Sequence, residues 1–205
     1  QDELTEQVVA AIEPAMLQSE SARVARKNPG DLTAFDCFQR GMWHFNKTSA
    51  EGFRAALDLF RQAIDRDPEL ALPRVGMARA LYGQALYGWS ENRQADFEAA
   101  LDAAETAIAL DPRDAIAYYA LAGATLYIRG PHEALDPARK AVALNPNFAY
   151  GHVRLGQVLT LLGRAREAVA PIERGIRRNP YDPQIGVLLG TLSLAHYLAH
   201  DYEQA

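Results

Sequence analysis

The chain has 205 residues, 49 % of them apolar and 23 % charged, with a formal net charge of −5. That is enough for one good core or two small ones. The negative balance excludes a general attraction to nucleic acid or to an anionic membrane surface, and no apolar run approaches the ~20 residues that span a bilayer.

Taken in chain order, the first predicted element is a helix from about Glu3 to Lys27, with a kink expected at Pro14 and a stop at "NPGD". This sets a first region, 1–28, apart from the remainder, 29–205. The chain opens on Gln1 with no signal-peptide pattern and closes on "DYEQA", which reads as the first turn of an unfinished helix. Both ends look cut, so the expectation is a piece of a longer polypeptide. Cys37 is the sole cysteine and leaves no internal disulfide, which points to a cytoplasmic setting.

From residue 34 onward the chain repeats itself. "AIALDP" and "AVALNP" begin at 107 and 141, and the phrase extends to four segments ending at Asp67-Pro68, Asp111-Pro112, Asn145-Pro146 and Asn179-Pro180. The last two intervals are each 34 residues, and the first carries an insertion within "YGWSENRQAD". One column holds Ala56, Ala100, Ala134 and Ala168, and seven residues later stand Ala63, Ala107, Ala141 and Gly175. Upstream, Met77-Ala78, Leu121-Ala122, Leu155-Gly156 and Leu189-Gly190 pair a large apolar residue with a small one. Small residues seven apart share one helical face and let another backbone approach closely. Asp-Pro or Asn-Pro ends one helix, and Pro suits the start of the next. Each segment therefore predicts a pair of antiparallel helices, A and B, that needs the next pair for cover. The predicted units are about 34–70 (with a long loop at "NKTSAEG"), 71–114, 115–148 and 149–182, followed by a last helix A over 183–199.

These columns resemble the tetratricopeptide repeat, departing from it where an early Trp is usual: Arg74, Tyr118, His152 and Gly186 stand there. The resemblance implies an all-α, right-handed superhelix and a binding groove lined by the A helices. The family's groove positions fall on Phe38, Met42 and Phe45, on Arg79 and Tyr82, on Tyr119, and on Tyr150, Arg154 and Gln157. The Lys and Asn set of a carboxylate clamp is absent from them. What remains is an aromatic trough with two arginines inside, expected to meet a protein or peptide, or a neighbouring domain of the same chain. Aromatic and Arg anchors dominate interface hot spots, and Arg gains little in a dry core without a paired carboxylate. The Phe35–Phe45 cluster reads equally well as filled by the N-terminal helix. Trp89, in the insertion, reads either as cover for a neighbouring turn or as a docking knob.

A second resemblance concerns context. "QDELTEQVVAAIEP", "FDCFQRGMWHFNK", "LYGWS" and "LGTLSLAHYLAHDYEQA" are similar to bacterial chains that join a class III adenylate cyclase domain, a TolB-like segment and a tetratricopeptide array. Related chains carry a winged-helix DNA-binding domain instead and regulate transcription. The implied role is a non-catalytic regulatory module in cAMP signalling, with the transcriptional sensor as the alternative.

No phosphate loop, zinc-binding cysteine set or nucleophile elbow appears, so no catalytic residue, cofactor or metal is expected. "HYLAH" spaces His196 and His200 for one helical face, but a packing His followed by a loop His accounts for it better than a metal pair. Arg164, Arg166, Arg174, Arg177 and Arg178 read as a solvated face and not as a nucleic-acid site. Leu188, Leu189, Leu192 and Leu194 lie on a helix whose predicted partner is missing, so self-association is expected there.

Overall fold

The computed structural model describes residues 32–182 and 185–201. The predicted N-terminal helix, its TolB-like likeness and most of "DYEQA" lie outside these residues. Among the described residues there are nine helices and no strand: α1 (Ala34–Phe45), α2 (Ala50–Arg66), α3 (Ala71–Tyr87), α4 (Arg93–Leu110), α5 (Ala115–Ile128), α6 (Pro131–Leu144), α7 (Ala149–Leu161), α8 (Ala165–Arg178) and α9 (Ile185–Leu198). The chain divides into two compact units at Asp111/Pro112. In the first, α1 packs on α2, α2 on α3 and α3 on α4, while α1 also meets α3. In the second, neighbours pack in the same order from α5 to α9, and α7 touches both α5 and α9. Each unit thus sets its A helices side by side as one wall, with the B helices behind.

The predicted alanine columns are the seams. Ala56, Ala63, Ala100, Ala107, Ala134, Ala141 and Ala168 are fully buried, as is Ala122, and Ala78 is 1 % exposed. Close approach is tightest where the small residue is glycine. A Cβ on Gly156 would lie 2.2 Å from Cγ1 of the fully buried Ile172, and Phe60 of α2 similarly fills the space beside Gly41 and Gly76. The last member of that column differs: Gly190 has nothing within 4 Å of a Cβ, and Leu189 beside it is exposed.

Each Asp/Asn-Pro does end a helix. Asp67, Asp111, Asn145 and Asn179 are the C-caps of α2, α4, α6 and α8, all at φ between −134° and −144°, as a following proline requires. The prolines, however, do not open the next helix. They occupy the second position of a turn closed by Leu70 N–H to Asp67 O, Phe148 N–H to Asn145 O and Asp182 N–H to Asn179 O. The following helix begins three residues after each of Pro68, Pro112 and Pro146. Fixed proline φ suits that turn position as well as a helix start, and the Asp67 and Asn145 side chains reinforce it by accepting from the N–H two residues on. In the usual Trp column, Arg74 and His152 each donate to the proline carbonyl six residues upstream, at Pro68 and Pro146. Position, not ring chemistry, makes this tether.

In the first four repeats helix A is followed by helix B through a residue at positive φ, with Thr48, Gly88, Gly130 and Gly163 at 47°, 75°, 94° and 76°, and His200 after α9 has φ of 63°. The loop at "NKTSAEG" is shorter than predicted, because Ser49 caps α2 by accepting from Gly52 N–H and "AEG" becomes the first turn. The insertion lengthens α3 and α4 to 17 and 18 residues, against 13 or 14 in the helices of the second unit. Pro137 and Pro171, also 34 apart, sit inside α6 and α8.

Candidate functional site

In the first unit, the expected trough residues lie on α1 and α3. Phe38 packs on Cys37 and Ala63, and its ring is 6.0 Å from that of Phe60. Met42 is half-buried, and Tyr82 is 7 % exposed with its ring 6.1 Å from Phe97. Phe45 stacks on Phe53 at 5.0 Å, and the Arg79 guanidinium lies 4.7 Å from the Phe45 ring centre. Trp89 follows the left-handed Gly88, stacks on Tyr87 at 4.9 Å and meets Phe53 edge-on at 5.5 Å, while keeping 38 % of its surface exposed. It covers the neighbouring turn and still presents a ring to solvent. Cys37 is fully buried, and burial pushes its thiol up from the ordinary range, which leaves no reactive thiolate at neutral pH.

The second unit gathers the other four. Tyr119 of α5 stands against Phe148 at 5.4 Å and Tyr150 at 6.2 Å. Arg154 of α7 lies 4.9 Å from the centre of the Tyr119 ring, donates to the Tyr119 hydroxyl at 3.3 Å and donates to Gln157 Oε1. Tyr150 donates to Asp182, itself buried and held by Asn179 Nδ2 at 2.7 Å. Arg154 is 5 % exposed, so it braces the α5/α7 wall from within and does not stand free in a trough. Guanidinium planes stack readily on aromatic faces, and the Tyr119 ring provides such a face here.

Beyond Gln157 a cleft of about 290 Å³ opens between α7 and α9, lined by Gln157, Thr160 and Leu161 on one side and by Val187, Gly190, Thr191 and Leu194 on the other. The family's groove positions reach it through Gln157 and Thr160 of α7; the rest depends on where α9 docks. Leu188 is buried and Leu192 packs against the Leu159–Ile172 cluster, so only Leu189 and Leu194 of the four expected patch leucines are exposed, joined by Val187, Tyr197 and Leu198.

His196 is buried at the end of α9, with Nδ1 3.3 Å from Asp201 Oδ2, and His200 is in the left-handed turn. The two therefore do not share a helical face, and no cluster of three or more metal-ligating side chains occurs among the described residues. Arg164 pairs with Glu167 and Arg177 with Glu173 at the surface. No described helix is long and apolar enough to cross a membrane.

The tetratricopeptide-repeat pattern matches residues 88–130 and 124–183. Among solved structures, TTC0263, a thermophilic TPR protein of Thermus thermophilus, is 23 % identical over 84 % of this chain and 92 % of its own, with a TM-score of 0.64. PilF of Pseudomonas aeruginosa is 18 % identical over 83 % of this chain and 71 % of its own, at 0.62. YrrB, described as a TPR protein with an unusual peptide-binding site, is 18 % identical over 83 % and 80 %, at 0.51. The comparison with curated proteins found no match. The fold class is the all-α tetratricopeptide-repeat solenoid.

Proposed function

We propose that this chain is a non-catalytic interaction module that captures a peptide segment, from a partner protein or a neighbouring domain, along the wall formed by α5, α7 and α9. One observation carries the reading. The three helices contain a single residue of the Asp, Glu, Lys and Arg set, Arg154, and it is turned inward to hold Tyr119 and Gln157. The wall left facing solvent is uncharged and creased by the α7/α9 cleft, the sort of concave apolar surface that recognition sites favour. The peptide-binding site named for YrrB supports the class of ligand. The aromatic face of α1 and α3, with Arg79 over Phe45, is a second candidate surface, on the preference of interface hot spots for aromatic and Arg anchors.

For context we propose a regulatory array in a cytoplasmic class III adenylate cyclase, on the sequence likeness of "QDELTEQVVAAIEP" and "LGTLSLAHYLAHDYEQA". A winged-helix domain encoded upstream would assign the array to a transcriptional regulator instead.

The module reading is tested by selecting a random peptide library on the purified protein. Bound peptides should lose at least about tenfold in affinity when Leu161, 53 % exposed on α7, is changed to Asp, since a desolvated charge then faces the ligand. Recovery of no binding peptide, or indifference of every recovered peptide to charges on the A-helix walls, rejects it.

A further inference from the structure

We infer that the α7/α9 cleft is an anchor pocket for one aliphatic side chain of the bound segment, a Leu, Ile, Val or Met with uncharged neighbours; this rests on the peptide-recognition reading above. By residue type the cleft looks partly polar, since two threonines and a glutamine line it. The hydrogen bonds say otherwise. Thr160 donates to Gly156 O and Thr191 to Val187 O, each at 2.9 Å and each to its own helix four residues back. Both hydroxyl protons are thereby spent within their helices, so the threonines bring no donor to the cleft beside Leu161, Val187 and Leu194. Gly190 keeps the floor low, with nothing within 4 Å of where its Cβ would be.

At about 290 Å³ the cleft sits at the small end of ligand sites, which begin at ~300 Å³, and has room for a side chain inserted from a longer ligand. Charge narrows the occupant. No Asp, Glu, Lys or Arg lines the cleft, so an ionised side chain would lose its hydration there without compensation. At the rim, Gln157 is oriented by Arg154 through Oε1, which directs its amide Nε2 to donate to a backbone carbonyl of the ligand. The inserted side chain supplies burial and the rim amide supplies register.

The experiment uses peptides selected on the protein, scanned one residue at a time, against the variants Gly190→Leu and, as a control outside the wall, Asp136→Ala, whose side chain is 93 % exposed on α6. A Cβ at position 190 meets nothing within 4 Å and Leu favours the helix more than Gly does, and circular dichroism checks that the variant with the filled cleft folds. The expected result is one aliphatic position per peptide whose change to Asp or Lys abolishes binding, a loss of at least about tenfold with Gly190→Leu, and no change with Asp136→Ala. Peptides that bind a folded Gly190→Leu normally would overturn the pocket and leave peptide recognition standing. Absence of any binding peptide would remove both. A concentration-dependent dimer, seen by sedimentation and abolished by Gly190→Leu, would assign the cleft to a second copy of the chain and overturn the inference.

Discussion

The same substitution, Gly to Ala, should have opposite effects at two positions of the repeat that are 34 residues apart. At Gly156 the new methyl would stand 2.2 Å from Ile172 Cγ1, 2.9 Å from its Cδ1 and 3.0 Å from the carbonyl oxygen of Ala168. Unstrained carbon contacts lie at about 3.5–4.0 Å, so Ile172 must retreat by roughly 1.3 Å. It is fully buried among Leu159, Ala168 and Ala195 and has no free direction. Overpacking of this kind costs about 1–3 kcal/mol, offset by about 1 kcal/mol of helix propensity. At Gly190 nothing lies within 4 Å, so only the propensity gain of about 1 kcal/mol remains. Urea unfolding followed by helical circular dichroism should place the Gly156→Ala midpoint below the parent and Gly190→Ala above it, separated by about 1–3 kcal/mol. Ile172→Ala alone should cost about 2–5 kcal/mol. In the double variant, the methyl added at position 156 enters the space that Ile172 vacates, and the two losses should sum to less than their separate values. Equal stability of the two Gly→Ala variants, or strict additivity in the double, would refute the packing argument.

Three further outcomes follow from other features. Thr48 and His200 hold the left-handed position that Gly occupies in the other three repeats; since L residues lose about 1–2 kcal/mol there, Thr48→Gly and His200→Gly should each raise the melting temperature, and a fall in both would refute the strain. His152 is 1 % exposed, and burial holds its imidazole below the ordinary value of 6.5 despite the hydrogen bond to Pro146 O. Because the folded state resists a proton that the unfolded chain accepts, stability should be full above about pH 6.5 and decline below it, levelling once pH passes the lowered folded value. His152→Gln should flatten that slope in a urea titration against pH; an unchanged slope would dismiss His152 as its source. Cys37 should resist alkylation in the native state and react on unfolding, so fast native labelling would contradict its burial.

Much was legible in the sequence because a solenoid writes its packing locally. Alanine columns at fixed spacing mark where backbones approach, and Asp-Pro or Asn-Pro marks where α geometry stops; both are consequences of sterics within one or two turns, so reading Ala100, Ala134 or Asn145 sufficed. The tether from Arg74 and His152 to a proline carbonyl was missed, although the constant six-residue offset was available as a signal. What only the tertiary structure decided was polarity and access. Arg154 reads as a partner-facing cation by its groove position, yet its exposure depends on Tyr119, 35 residues earlier, supplying a ring and a hydroxyl to receive it. Thr160 and Thr191 read as donors by residue type, yet each hydroxyl proton is spent on its own helix. Leu188 and Leu194 look alike in the sequence; the docking of α9 on α8 and α7 buries one and leaves the other at the cleft. Local chemistry fixes where helices begin, end and touch. Which side chains remain to meet a ligand is set by what lies across the gap, and no window of the sequence contains that.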